Sequence, residues 1–184
     1  MMTTDIYRGE KLRLVAMNSE TDAPLMNKWR RDSEYARLLD SDPVRLFNTA
    51  QNKEWIEKMQ KAEAFEGIEL IMRTLDEDKP IGFVALDGIS WHNGISWVGI
   101  GIGERDYWSK GYGTEAMHLI ARYAFEELGL HRLSLNVFSY NTRAIRAYEK
   151  VGFKVEGTVR EAVHRDGKRW DVIFMGLLRE EFSM

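Results

Sequence analysis

Cysteine is absent from the sequence. Disulfide scaffolds, thiolate metal sites and cysteine nucleophiles are therefore excluded, and a reducing cytosol suits the chain. Proline occurs only at Pro24, Pro43 and Pro80. No Gly/Ser-rich or low-complexity stretch divides the sequence, so no linker is signalled. No apolar run approaches the ~18 residues of a membrane span, and the start Met1-Met2-Thr3-Thr4-Asp5 lacks the features of a secretion signal. Nor is there an excess of basic charge. The 26 Lys and Arg stand against 29 Asp and Glu, a net charge of −3, which argues against a dedicated nucleic-acid binder. With 184 residues, 44% of them hydrophobic and 30% charged, the expectation is one cytoplasmic domain over residues 1–184, burying roughly 70% of its unfolded surface.

Hydrophobic periodicity lays out the order of elements. Leu12 to Val15 alternates as a strand, Thr21 to Leu39 reads as a helix or a broken pair, and Asn52 to Ala64 as another helix with Trp55, Ile56 and Met59 on one face. The period then shifts to two. Ile68 to Thr74 and Ile81 to Leu86 read as a hairpin closed by the Asp76–Pro80 turn, and Ser96 to Ile102 as a third strand. Thr114 to Leu128 is a helix ended by Gly129, Arg132 to Val137 a strand, and Asn141 to Val151 a helix closed by Gly152. Strands at Lys154 to His164 and Arg169 to Leu178 flank an Asp166-Gly167 turn. Hairpins and crossover helices around one sheet of about seven strands predict a mixed α/β (α+β) fold.

Chemistry concentrates in Gly99-Ile100-Gly101-Ile102-Gly103 and in Trp108-Ser109-Lys110-Gly111-Tyr112-Gly113-Thr114-Glu115-Ala116. Alternation puts the three strand glycines on one face, where a row without side chains marks close approach by a ligand or another part of the chain. The Lys110–Thr114 turn opens a helix, so unpaired backbone N–H groups and the positive end of the dipole suit a pyrophosphate. A bulged edge strand and an ordinary helix start would read the same way. A Walker loop is excluded, since no Gly-x-x-x-x-Gly-Lys-Ser/Thr occurs. Gly111-x-Gly113-x-x-Ala116 matches the dinucleotide fingerprint literally. However, the strand ends several residues before it, and the next strand ends Asn136-Val137-Phe138-Ser139 with no carboxylate for a ribose.

A second motif lies downstream. In Asn141-Thr142-Arg143-Ala144-Ile145-Arg146-Ala147-Tyr148-Glu149-Lys150-Val151-Gly152-Phe153, Asn141 and Tyr148 are seven residues apart, two turns along one helix face. An N-cap and a core aromatic would share this pattern. Together the two segments resemble the GNAT family of N-acetyltransferases. Its pyrophosphate loop reads Arg/Gln-x-x-Gly-x-Gly/Ala, and its later segment Asn-x-x-Ala-x-x-x-Tyr-x-x-x-Gly-Phe. The resemblance runs from about Leu12 to Leu178 and is closest to the branch of ribosomal-protein N-terminal acetyltransferases and polyamine acetyltransferases.

The resemblance implies acetyl-CoA as co-substrate and no metal. Its pyrophosphate would lie on Trp108, Ser109, Lys110, Gly111, Tyr112, Gly113 and Thr114. The pantetheine arm would meet the Gly101–Ile102–Gly103 backbone and Asn141, with Arg146 near the phosphates. The Tyr148 hydroxyl would sit beside the sulfur as the catalytic acid. A thiol titrates at ~8.5 and a phenol at ~10, so the phenol is placed to return a proton to the departing thiolate. The splay for the coenzyme would open between the Ser96–Ile102 and Arg132–Val137 strands. Dimers are frequent in the family, so a homodimer is the corresponding expectation.

Two positions depart from the pattern. Trp108 stands where Gln or Arg is usual, and Trp97 where many relatives carry a Glu that relays the amine proton. The base is thus unassigned, with Glu104, Asp106 and His92 in the right region. His118, His131 and His164 lack metal-ligand spacing. The expected acceptor is a primary amine. Asp32, Glu34, Asp40, Asp42, Glu104, Asp106 and Glu161 would favour a cationic one. Without a base, a peptide or protein N-terminal amine at ~8 ranks ahead of a polyamine at ~10. A nicotinamide-dependent enzyme and a non-catalytic acyl-CoA sensor remain alternatives, Tyr148 arguing against the sensor.

Overall fold

In the strand Pro80–Ser90 (β3), Val84 and Leu86 face one way and Phe83 and Ala85 the other, and neither face is left bare. The structure, a computed structural model, describes residues 5–60 and 67–183. Its strands are Leu12–Ala16 (β1), Gly67–Thr74 (β2), β3, Ile95–Ile102 (β4), Arg132–Phe138 (β5), Lys154–Arg165 (β6) and Lys168–Leu178 (β7). They form one seven-stranded sheet in the order β1-β2-β3-β4-β5-β7-β6. All neighbours are antiparallel except β4 and β5, which run parallel. A parallel pair needs a crossover, and the helix Tyr112–Arg122 (α4) supplies it. The mixed α/β expectation holds.

Two layers of helix cover the sheet. On one face, Ala116, Met117, Leu119 and Ile120 of α4, with Tyr148 and Val151 of Thr142–Val151 (α5), pack onto Val84, Leu86 and Val98. On the other, Ser19–Arg30 (α1), Ser33–Leu39 (α2) and Thr49–Gln60 (α3) bring Trp29, Tyr35 and Ile56 against Ile71 and Phe83. Burying one such side chain contributes about 1.5–3 kcal/mol, and the face a residue serves follows from strand alternation.

Local chemistry sets the boundaries. The Thr21–Leu39 stretch is a broken pair because Asp32 caps a new helix, its Oδ1 accepting from Glu34 N at 3.0 Å and Tyr35 N at 3.3 Å. The helix expected to reach Ala64 is described to Gln60, and residues 61–66 lie outside the described residues. α4 starts two residues earlier than expected and passes into a π turn over Tyr123–Glu127 before Gly129 at φ +67°. Asp166 and Gly167, at φ +51° and +73°, make the two-residue hairpin turn between β6 and β7.

Candidate active site

β4 and β5 pair only at Ile95–Arg132, Ser96–Leu133 and Trp97–Ser134. Beyond those pairs the strands separate, and a cavity of about 690 Å³ opens between them, reaching from the α1–α3 face of the sheet to α4 and α5. The backbone of Ile102 turns toward this opening, because the neighbouring Gly103 N–H is spent on the Ile81 carbonyl at 2.9 Å and successive residues point to opposite edges. Gly101, paired with Phe83, faces β3 in the same way. The amides able to meet a ligand in the gap are therefore those of Ile100 and Ile102. Gly101 and Gly103, expected to offer theirs, do not.

The glycine row serves helix packing. A Cβ on Gly101 would come within 2.8 Å of both the Phe83 ring and the Tyr35 hydroxyl, and one on Gly103 would run into the Trp29 indole. α1 and α2 press this closely onto β4 because nothing projects there. Gly99 differs: the nearest atom to its Cβ position is Asp87 Oδ2, at 3.8 Å. It lines the cavity, as does Gly101, whereas Gly103 does not.

Beyond β4, the turn leading into α4 is built on two positive-φ residues, Ser109 at +60° and Gly111 at +90°. Gly111 is the N-cap of α4, and no side chain caps the helix. Its first-turn amides therefore retain their capacity for an anion. Ser109, Gly111, Gly113 and Thr114 line the cavity; Lys110 and Tyr112 do not. Lys110 instead presents its carbonyl to Lys11 Nζ at 2.9 Å, which brings a second cation to the loop. Glu115 locks the turn to β1, accepting from Lys11 N at 2.8 Å and Leu12 N at 3.2 Å.

Trp108 ties the loop to the sheet. Its indole N–H donates to the Ile102 carbonyl at 2.7 Å, tying the loop to the end of β4. The Arg143 guanidinium lies 3.9 Å from its ring centroid, a cation–π stack. Burial pushes the Arg143 group down from its ordinary range, and among the described residues no ion pair neutralises it. The sequence left Arg143 equally open as an offset to the coenzyme's phosphates and as an exposed helix charge; only the fold brings it onto Trp108. Arg146 and Lys150 join it along the cavity wall.

On α5, Asn141 is the N-cap, its Oδ1 accepting from Ala144 N at 3.3 Å. It also lines the cavity, as does Tyr148, so the capping and ligand-facing readings coexist. Tyr148 is only 9% exposed, and burial pushes its phenol up to about 12. Such a hydroxyl stays protonated at any ordinary pH.

Three of the surface acids expected near the acceptor are engaged elsewhere. Asp32 and Glu34 hold Arg105 in ion pairs; Asp40 and Asp42 meet Arg165 only through their backbone carbonyls. Glu104 accepts from Lys28 Nζ at 2.6 Å and Trp29 Nε1 at 2.8 Å. Burial pushes its carboxyl up, but those two bonds and the Lys28 and Lys79 charges outweigh burial and hold it below the usual range. None of these acids lines the cavity. The carboxylates that do are Glu69 of β2 and Asp87 of β3, which sequence reading missed. Their signal was a charged residue inside an otherwise apolar strand, in Gly67-Ile68-Glu69-Leu70-Ile71 and in Val84-Ala85-Leu86-Asp87.

Among the described residues, no group of three or more His, Asp or Glu is arranged to hold a metal, and no helix is long and apolar enough to cross a membrane. Residues 11–154 match the model of the acetyltransferase (GNAT) domain. The sequence is 28% identical over 184 residues to the SPbeta prophage-derived uncharacterized N-acetyltransferase YokL of Bacillus subtilis, covering 100% of this chain and 98% of that one. It is 34% identical over 118 residues to the probable N-acetyltransferase YjcK of the same organism, 64% of this chain and 65% of that one. In structure it is similar to the spermidine N-acetyltransferase of Vibrio cholerae in complex with CoA and spermine, at a TM-score of 0.82 and 21% identity over 92% of this chain and 96% of that one. A GNAT-family acetyltransferase from Bacillus anthracis superposes at 0.78 and 21% identity, over 95% of this chain and 99% of that one. The parted parallel strands, the uncapped glycine turn and the family match over most of the sequence make this chain a member of the GNAT acetyltransferases.

Proposed function

We propose that this acetyltransferase takes its acetyl group from acetyl-CoA and delivers it to a cationic primary amine, an alkyl polyamine ahead of a peptide N-terminus. The observation that carries this reading is the division of charge along one cavity. Arg143, Arg146 and Lys150 line it on α5, beside the α4 N-terminus, whereas its carboxylates are on β2 and β3. The first end suits phosphates and the second an ammonium group. The peptide amine ranked first only while no base was in view. Glu69 and Asp87 remove that reason, and the likeness to a protein solved with CoA and spermine agrees with the change.

The residues present fit a coenzyme. The Ser109–Gly111 turn and the first amides of α4 would hold its pyrophosphate, Arg143 would supply charge, and the free edge of β4 would take the pantetheine amides. Acetyl-CoA brings the acyl group as a thioester. Ile100 or Ile102 N–H is positioned to hydrogen-bond the carbonyl as negative charge develops on it. The amine nitrogen forms the new C–N bond, the C–S bond breaks, and the N–H proton replaces it on sulfur. With its phenol near 12, Tyr148 donates a hydrogen bond to that sulfur rather than ionising.

Thermal unfolding with CoA tests the coenzyme site. CoA should raise the melting temperature of the wild type, and Gly111→Val should lose most of that shift, since a β-branched residue is strained at φ +90°. Equal stabilisation of the two proteins would remove the loop from the site. Thiol release from acetyl-CoA, screened against spermidine, short peptides, amino acids and aminoglycosides, tests the acceptor; turnover confined to neutral or anionic acceptors would overturn the cationic assignment.

A further inference from the structure

An ammonium must lose its proton before its nitrogen can attack, and nothing on the coenzyme side of the cavity accepts one. Among the described residues, the ionisable groups lining the cavity are Tyr148, Arg143, Arg146 and Lys150 of α5, Tyr35 of α2, Glu69 of β2 and Asp87 of β3. The guanidinium and ammonium groups are hydrogen-bond donors only, and burial keeps both phenols protonated. Two carboxylates are left.

Their placement follows from register. Glu69 pairs with Ala85, and Gly67 pairs with Asp87. Glu69 and Asp87 are therefore diagonal neighbours on one face, with Cα atoms roughly 7–8 Å apart. Asp87 in turn pairs with Trp97 of β4, and its Oδ2 lies beside the bare backbone of Gly99. A side chain at 99 would stand between that carboxylate and the place where β4 and β5 part. Glu69 Oε2 is shut off from solvent and has no hydrogen-bond partner among the described residues. A buried acceptor without a donor costs about 1–3 kcal/mol, and a ligand ammonium entering the cavity would supply the missing donor.

We propose that Glu69 and Asp87 together form the acceptor site of the transfer, holding the substrate ammonium and taking its proton. This rests on the acetyl-transfer reading above. Burial and the neighbouring Asp87 charge push the Glu69 carboxyl up to about 7, and burial raises Asp87 as well. A base near neutrality is well matched to the pH at which it works. An N–H bond of the ammonium breaks, the proton moves to a carboxylate oxygen, and the freed pair on nitrogen attacks the thioester carbonyl. The carboxylic acid then returns its proton to solvent through the open mouth of the cavity.

The test uses the full chain with Glu69→Gln and Asp87→Asn, singly and together. Both replacements keep shape and remove charge. In CoA-loaded protein, spermidine should raise the melting temperature of the wild type and not of the double variant, while CoA alone stabilises all forms equally. In turnover, each single variant should lose roughly 10- to 1000-fold in kcat/KM for spermidine. The loss should be at least tenfold smaller for a peptide amine near ~8, which needs the base less. The acidic limb of the wild-type pH profile near neutrality should disappear in Glu69→Gln. Variants with wild-type spermidine stabilisation, or with unchanged KM, kcat and pH profile, would overturn the pair's role. So would a wild type that CoA stabilises and spermidine does not. A wild type that CoA fails to stabilise would instead strike the coenzyme reading itself.

Discussion

The guanidinium of Arg143 lies over the indole of Trp108, 3.9 Å from the ring centroid, and the indole N–H donates to the Ile102 carbonyl at 2.7 Å. One side chain thus fixes the loop to the end of β4 and carries on its face a cation without an ion pair among the described residues. Arg143→Ala should weaken CoA binding roughly 10- to 100-fold, the worth of a charged hydrogen bond. Trp108→Phe keeps an aromatic face but loses the bond to Ile102, so it should lower stability by about 1 kcal/mol and leave most of the affinity. Calorimetric titration with CoA separates the two. Equal affinity in wild type and Arg143→Ala would show that the stack serves the loop alone.

Tyr148→Phe should bind CoA as the wild type does and lose roughly 10- to 1000-fold in turnover, because only the hydrogen bond to the departing sulfur is removed. With the phenol pushed up to about 12, no fall in rate from its ionisation should be seen up to pH 10. A lower melting temperature with an unchanged rate would make Tyr148 a packing residue only.

Glu104 is the contrasting case. Its carboxylate accepts from the Trp29 indole, which is 2% exposed, and it does not line the cavity. Glu104→Ala should cost about 1–3 kcal/mol by stranding that N–H, whereas its ion pair with the exposed Lys28 adds little. The rate per folded molecule should stay within about twofold of wild type. A large loss of rate without a change in stability would restore Glu104 as a catalytic candidate.

Glu69 should leave its mark on stability as well. Its carboxyl is pushed from an ordinary 4.5 to about 7 in the folded chain, so between these values the native state binds more protons than the unfolded one. Stability therefore falls as pH rises through that window and stays lower above it. Glu69→Gln removes the charge and should be more stable than wild type at pH 8, by roughly 1–3 kcal/mol after allowing for partial exposure, and equal to it near pH 4. Melting curves across pH 4–9 without CoA check this; parallel curves for the two proteins would show that Glu69 is not strained by ionisation.

Local signals read the turns and helix faces around the cavity well. Gly111 reads as a turn residue because only a residue tolerant of positive φ suits that entry to α4, and Gly152 ends α5 at φ +107° for the same reason. Asn141 and Tyr148 share a helix face by periodicity alone. The starts of the third helix, at Thr49 rather than Asn52, and of α4, at Tyr112 rather than Thr114, were less legible, since cap geometry depends on what the ends pack against.

Sequence by itself determined the elements, their faces and the two motifs, because periodicity, capping and glycine tolerance act within a few residues. It also excluded thiol chemistry and a membrane-spanning helix. Tertiary structure decided which groups meet. Glu69 and Asp87 are 18 positions apart in the sequence and become neighbours only through the β2–β3 register. Arg143 reaches Trp108 only because α5 returns beside the loop. The glycine row of β4 looked like room for a ligand, yet Trp29, Tyr35 and Phe83 crowd Gly101 and Gly103. The acids at 32, 34 and 104 looked available until the fold gave them cations and an indole. Electrostatic partners are set by distance in space, and a linear sequence does not carry that distance.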